Sequence, residues 1–172
     1  ASGRLPLRVF TDRDGLPQNA ITSIVFDREG ALWVGTKDGA ARYNGRAWTT
    51  VSMPPGCPSN WVNAILSASD GSLWFGTRGG GVVRFSASRW TVYSTAEGLP
   101  NAEVLALAEN AALGGGPVVL VGTADGLARF DGSRFVKVPL AEGARSVRVY
   151  SLFEEREGGA AADHGRLAGV TR

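Results

Sequence analysis

One phrase occurs three times in this chain. Residues 32–45 read LWVGTKDGAARYNG, residues 73–86 read LWFGTRGGGVVRFS, and residues 119–132 read VLVGTADGLARFDG. The tripeptide Gly-Leu-Pro precedes the first and third copies, with an asparagine close behind (Gly15 to Asn19, Gly98 to Asn101), whereas the second copy keeps only Pro-Ser-Asn at 58–60. A chain that repeats itself at this length folds each copy as one supersecondary unit and buries its faces against neighbouring units. Function in such a chain is not expected from a single motif.

The period follows by counting. Asn19, Asn60 and Asn101 are 41 residues apart, and Gly35, Gly76 and Gly122 are 41 and 46 apart. The third unit is the longer one, and the glycine-rich stretch 113–117 holds most of the excess. Units of about 40–45 residues with several short strands have the period of propeller blades.

Within the first unit the pattern is β throughout. Residues 21–26 form an apolar, β-branched run that ends at the turn-forming 27–30. Residues 32–36 form a second strand, closed by Lys37-Asp38-Gly39, and residues 40–43 a third, closed by Asn44-Gly45, a dipeptide that favours tight hairpins. Residues 47–51, centred on Trp48, form the fourth. No segment carries a 3.6-residue apolar period, so the fold class is all-β, with four-stranded antiparallel meanders as units.

A sheet this small must bury both faces. Trp33, Trp74 and Leu120 share one repeat position, and Trp48, Trp90 and Phe135 share another. Aromatic side chains bury about 150–250 Å² each, so these positions are expected to join one sheet to the next. The glycine of each Gly-Thr pair permits close backbone approach, and the threonine suits a strand.

The shared pattern comprises Gly-Leu-Pro, the following Asn, an apolar pair three residues apart (Ile21/Ile24, Val62/Ile65, Val104/Leu107), Asp27, Leu-Trp-Val-Gly-Thr and Arg-Tyr-Asn-Gly. It resembles the two-component regulator propeller repeat over residues 7 to 138. That family builds periplasmic sensor domains of bacterial histidine kinases, hybrid ones included, and of some cyclase-linked receptors. The resemblance implies a non-catalytic sensory propeller outside the cytoplasm, as a domain of an inner-membrane receptor. The second copy departs from the pattern in lacking Gly-Leu-Pro, the third in replacing the Trp.

The ends set the expected boundaries. Residues 6–17 align with 89–100, so residues 7–12 read as the outer strand of a preceding blade. Blades then cover 15–52, 58–94 and 98–139, and 147–172 reads as an incomplete or degraded fourth, with Val149 and Leu152 matching Ile21 and Ile24. Three and a half units do not close the seven-bladed ring that the resemblance implies. The chain is therefore expected to be part of a longer protein, with a four-bladed closure as the alternative. The open faces at each end would invite pairing with the remaining blades, a partner propeller or a second copy.

Composition excludes several classes. The 18 basic residues against 16 acidic ones are scattered along the chain, so no nucleic-acid stripe forms. The single cysteine, Cys57, allows neither an intrachain disulfide nor a cysteine-cluster zinc site. The only histidine, His164, stands in the Ala/Gly-rich tail, which makes a Ser-His-Asp or Cys-His arrangement improbable. Phosphate-loop, dinucleotide, zincin and nucleophile-elbow motifs are missing. The runs Gly79-Gly80-Gly81 and Gly114-Gly115-Gly116 do not lead into helices and read as hairpin turns. Asp12 and Asp14 give only half of a calcium-loop pattern. No catalytic residue, metal or cofactor is assigned.

Binding remains. In a blade, the turn after the second strand and the link into the first lie at one rim. Variation on a repeated scaffold is where ligand contacts are built. The rim candidates are Lys37, Asp38, Asn60, Trp61, Arg78 and Asp125. Trp61 stands out because its repeat counterparts are Ala20 and Ala102. Beside Arg78 and Lys37 it would stack on a sugar ring or dock a peptide; the alternative is that it only fills a gap. The ligand class is open, with carbohydrate as one candidate. A propeller enzyme resembling the streptogramin lyases and a protein-interaction scaffold are the competing readings.

Overall fold

The structure is a computed structural model that describes residues 7–110, 117–140 and 147–152. The expected turn at 114–116, His164 and residues 153–172 of the expected fourth unit lie outside the described residues.

Each repeat folds into a four-stranded antiparallel meander whose strands pair in chain order. The first contains β1 (Ile21–Phe26), β2 (Leu32–Thr36), β3 (Gly39–Tyr43) and β4 (Trp48–Val51). The second contains β5 (Val62–Ser67), β6 (Leu73–Thr77), β7 (Val82–Ser86) and β8 (Arg89–Tyr93). The third contains β9 (Val104–Asn110), β10 (Val118–Thr123), β11 (Gly126–Phe130) and β12 (Phe135–Val138). The first strands β1, β5 and β9 lie side by side, so the three sheets are consecutive blades of a partial propeller.

One contact recurs at every junction. A Cβ added to Gly35 would lie 2.9 Å from Cγ1 of Val62, one on Gly76 would lie 2.5 Å from Cγ1 of Val104, and one on Gly122 would lie 2.7 Å from Cγ1 of Val149. The glycine of each second strand is thus a hole for a valine of the next unit: the first residue of β5, the first of β9, and Val149 beyond β12. All three valines are at most 1% exposed. The third instance shows what residues 147–152 do: Val149 inserts against Leu120 and Leu127, and its N–H donates to the Thr123 carbonyl at 3.0 Å.

Each inner strand carries a one-residue irregularity just after this position, between Ile21 and Ser23, between Val62 and Ala64, and opposite the Gly122/Thr123 step. Such bulges re-aim one side chain. Here the displaced residue reaches the next blade: the Thr22 hydroxyl donates to the Val62 carbonyl at 2.6 Å, and the Asn63 amide donates to the Val104 carbonyl at 2.8 Å.

The repeated threonines do more than favour a strand. Thr36, Thr77 and Thr123 are fully buried, and their hydroxyls donate to the carbonyls of Gly39, Gly81 and Gly126 at 2.8–2.9 Å. Each therefore clasps the turn that follows the second strand. At the opposite end, Asp27 accepts from the backbone N–H groups of Glu29 and Ala31 and from the Trp33 indole N–H at 2.8 Å. Asp70 accepts from Ser72, whose hydroxyl in turn accepts from the Trp74 indole at 2.8 Å.

The aromatic positions join the blades. Trp33 of the first meets Phe75 of the second at 5.6 Å, edge on. Trp74 of the second meets Phe130 and Phe135 of the third at 5.0 and 6.2 Å. Ahead of β1, Phe10 packs on Tyr43 and Trp48 at 5.1 and 5.5 Å. Residues 7–10 adopt no assigned strand there. The Gly-Leu-Pro motif ends a short 3-10 turn in both copies (Asp12–Asp14, Thr95–Glu97), capped by Asp14 on Thr11 and by Glu97 on Ser94. Asp14 thus spends its carboxylate on a backbone cap. The leucines that follow, Leu16 and Leu99, are buried.

Gly76→Ala should lower stability by about 1–3 kcal/mol, because the new methyl overlaps Val104 across the junction. Adding Val104→Ala should recover part of that loss. Urea-unfolding midpoints of the two single variants and the double variant test this. Additive losses would remove the hole-and-knob contact as the cause.

Burial raises the Asp27 carboxyl, but hydrogen bonds from Trp33, Ala31 and Arg42 outweigh it and hold the group below its ordinary 3.8. The backbone N–H groups of Arg134 and Ser133 hold Asp131 at about 2. A carboxylate depressed by folding stabilises above its unfolded pKa, and that contribution is lost as pH falls through the folded value. The contribution of these two groups to the melting temperature should therefore be full well above 3.8 and be lost as pH falls from there towards about 2, where Asp131 protonates. Asp27→Asn should remove part of this decline. An unchanged acid limb in that variant would refute the assignment.

Candidate binding rim

The turns after the second strands, 37–38, 78–81 and 124–125, lie at the same rim as the residues that lead into the inner strands. The pairing fixes their repeat register. Ile21, Val62 and Val104 pair with Thr36, Thr77 and Thr123. The residues immediately before them are Ala20, Trp61 and Glu103, and Arg148 stands before Val149. The N–H groups of Ala20, Trp61 and Glu103 receive the same local support, from the side chains of Gln18, Ser59 and Asn101.

This corrects the alignment made on asparagine spacing. The counterpart of Trp61 in the third blade is Glu103, not Ala102, and Asn101 matches Gln18 and Ser59 instead of Asn19 and Asn60. The side-chain carbonyls of Asn19 and Asn60 both accept from the backbone N–H seven residues earlier, Asp12 and Met53, at 2.7 and 2.8 Å. The equal spacing hid one extra residue between Asn101 and β9. Counting backwards from the apolar pair of each inner strand would have found Glu103 and Arg148.

The structure gathers Lys37, Asp38, Asn60, Trp61 and Arg78 at the junction of the first two blades. Asn60 donates to the Asp38 carboxylate at 2.9 Å, while its backbone carbonyl accepts from Gly39 at 2.7 Å. These two residues tie the first blade's turn to the second blade's lead-in. Lys37 Nζ lies 5.0 Å from the centroid of the Trp61 ring, and the Arg78 guanidinium lies 4.4 Å from it. Both separations are within the range in which a cation is attracted to an indole. The ring is therefore engaged by cations from two blades. The indole N–H is covered and has no partner among the described residues.

Arg78 continues the chain of contacts. Its N–H donates to the Trp61 carbonyl at 2.9 Å, and it forms a backbone bridge with Glu103. Glu103 in turn faces Arg148 at 3.7 Å. Lys37, Trp61, Arg78, Glu103 and Arg148 thus follow one another along the rim. Asp125 lies one blade further on, in the β10–β11 turn, where its N–H donates to Thr123 Oγ1 at 3.1 Å. Cys57 is half-buried in the loop before β5, its thiol directed at the Ser59 carbonyl at 3.2 Å.

Sequence and structure comparisons agree with this architecture. The family model described as two component regulator propeller matches residues 15–38 and 58–79. No curated protein matches the chain. Among solved structures, the extracellular domain of a protein classed as a hybrid two-component system from B. thetaiotaomicron is similar at 25% identity, with a TM-score of 0.70. The match covers 90% of this chain and 22% of that one. A second such extracellular domain from the same organism gives 24% identity and a TM-score of 0.64, covering 84% of this chain and 20% of that one. A catalytically inactive form of virginiamycin B lyase from Staphylococcus aureus, solved with quinupristin, gives 14% identity and a TM-score of 0.56. It covers 77% of this chain and 44% of the lyase, and shows likeness of fold alone. This chain spans about a fifth of the length of the extracellular domains it resembles. It is a partial β-propeller in which residues 15–38 and 58–79 match the two-component regulator propeller repeat.

Proposed function

We propose that this chain is a non-catalytic sensory module, part of the extracytoplasmic input propeller of a two-component receptor, and that it recognises its ligand at the rim of Lys37, Trp61, Arg78, Glu103 and Arg148. The observation that carries the reading is the contrast between strand and rim. The Gly, Thr and aromatic positions of the blades repeat one packing solution, whereas the lead-in position holds Ala20, Trp61, Glu103 and Arg148 in turn. Packing sets the first group. Nothing in the blade demands the second, so those side chains are free to serve recognition.

The likeness to extracellular domains of two-component systems supports the location and the signalling role. Among the described residues no group of His, Cys, Asp or Glu is arranged to hold a metal ion. Output is then the task of other domains of the receptor, reached through a change in how the blades sit against their neighbours. The lyase likeness gives no catalytic group to this chain.

Arg78→Ala should change folded stability by less than about 1 kcal/mol, as exposed substitutions do, and the half-buried Trp61→Ala should leave the protein folded with a loss of about 0.5–3 kcal/mol. In a reporter strain carrying the complete receptor, both should abolish induction by oligosaccharides that activate the unmodified protein. Wild-type induction in either variant would remove the rim from the sensing role. Unfolding of both would make these residues core.

A further inference from the structure

Taking the rim as the binding surface, which is the reading proposed above, we infer that Lys37 and Arg78 form a clamp for a small multivalent oxyanion, with Trp61 as the residue that positions them. Two cations from neighbouring blades share one indole, so their charges lie no further apart than the sum of their 5.0 and 4.4 Å separations from its centroid. Neither has a carboxylate partner among the described residues. The Asp38 carboxylate accepts from Asn60, and Glu103 faces Arg148.

Long cationic side chains on an open surface ordinarily move apart and keep their rotamer freedom. Here the negative faces of the ring hold them together. The backbone beneath is fixed by the Thr36 and Thr77 hydroxyls that clasp the two turns and by the bond from the Arg78 N–H to the Trp61 carbonyl. Two cations held on one indole by fixed turns, neither with a carboxylate partner, are complementary to an anion whose charged oxygens reach both. The guanidinium offers a planar fork and the ammonium a point charge. A neutral ligand would leave both without a counter-ion. Trp61 spaces the clamp and does not itself grip the ligand, so an aromatic replacement should preserve function where alanine does not.

The test uses the full chain and four probes: citrate, pyrophosphate, digalacturonate and neutral galactobiose. Binding is read from the indole N–H resonance of Trp61, assigned by its loss in Trp61→Phe, and from calorimetry. At least one of the three anions should shift that resonance, and its affinity should fall as ionic strength rises. The carboxylate and phosphate arms separate the chemical sources of the charge. Lys37→Gln and Arg78→Gln should each weaken binding about tenfold or more, as loss of a charge-assisted hydrogen bond does. Trp61→Ala should weaken it comparably, and Trp61→Phe should restore most of the calorimetric affinity. Circular-dichroism melts of all variants keep loss of fold distinct from loss of binding. Galactobiose shifting the Trp61 resonance as strongly as the anions would overturn the oxyanion clamp while leaving the rim as a binding surface. Anion binding that leaves the Trp61 resonance and both glutamine variants unaffected would overturn the clamp's location. Silence of all four probes at millimolar concentration would overturn the clamp, and the receptor reporter would then decide separately on the rim.

Discussion

The contact between one glycine and one valine organises this molecule. At Gly35, Gly76 and Gly122 the absence of a side chain lets Val62, Val104 and Val149 enter the neighbouring blade. Everything else at a junction depends on that approach. The bulged Thr22 and Asn63 reach a carbonyl of the next blade only because the inner strands lie so close. The aromatic rings of Trp33 and Trp74 meet Phe75, Phe130 and Phe135 further out along the same interface. A meander this small has no interior of its own, so its stability lies in what it shares with its neighbours.

The same rule describes the open end. Ile21 occupies the knob position of the first blade, and with Ile24 at 63% and Phe26 at 66% exposure it presents an apolar face without a blade against it among the described residues. The segment around Phe10 and Leu16 covers only the outer half of that face, over Val34, Ala41 and Trp48. The interior junctions show the chemistry such a face accepts: a second strand with glycine at its centre.

The rim follows from the junction too. Because the lead-in residue stands directly before the knob valine, each insertion carries one side chain to the mouth, beside the turn that the buried threonine holds in place. Trp61 therefore meets the turn of its own blade through Arg78 and that of the previous blade through Lys37. A rim built this way can change its side chains without touching the core. It does so from Ala20 to Trp61 to Glu103 to Arg148.

Much of the fold was legible in the sequence. Strand alternation, the Asn44-Gly45 turn and the shared Trp and Gly-Thr positions act over a few residues, and their meaning is local. Lys37, Trp61 and Arg78 were recognisable as departures from the repeat. Glu103 and Arg148 were not, because the link before β9 holds one residue more after its asparagine than the links before β1 and β5. Spacing counts residues, whereas register is set by which residue fills the glycine hole. The role of threonine was likewise hidden: a hydroxyl reads as strand-compatible until the turn carbonyl it meets is placed. The sequence by itself determined the blades, since turn chemistry and side-chain alternation act within one unit. Only the tertiary structure decided which side chains share the rim, because that depends on how one blade's valine seats in another's glycine.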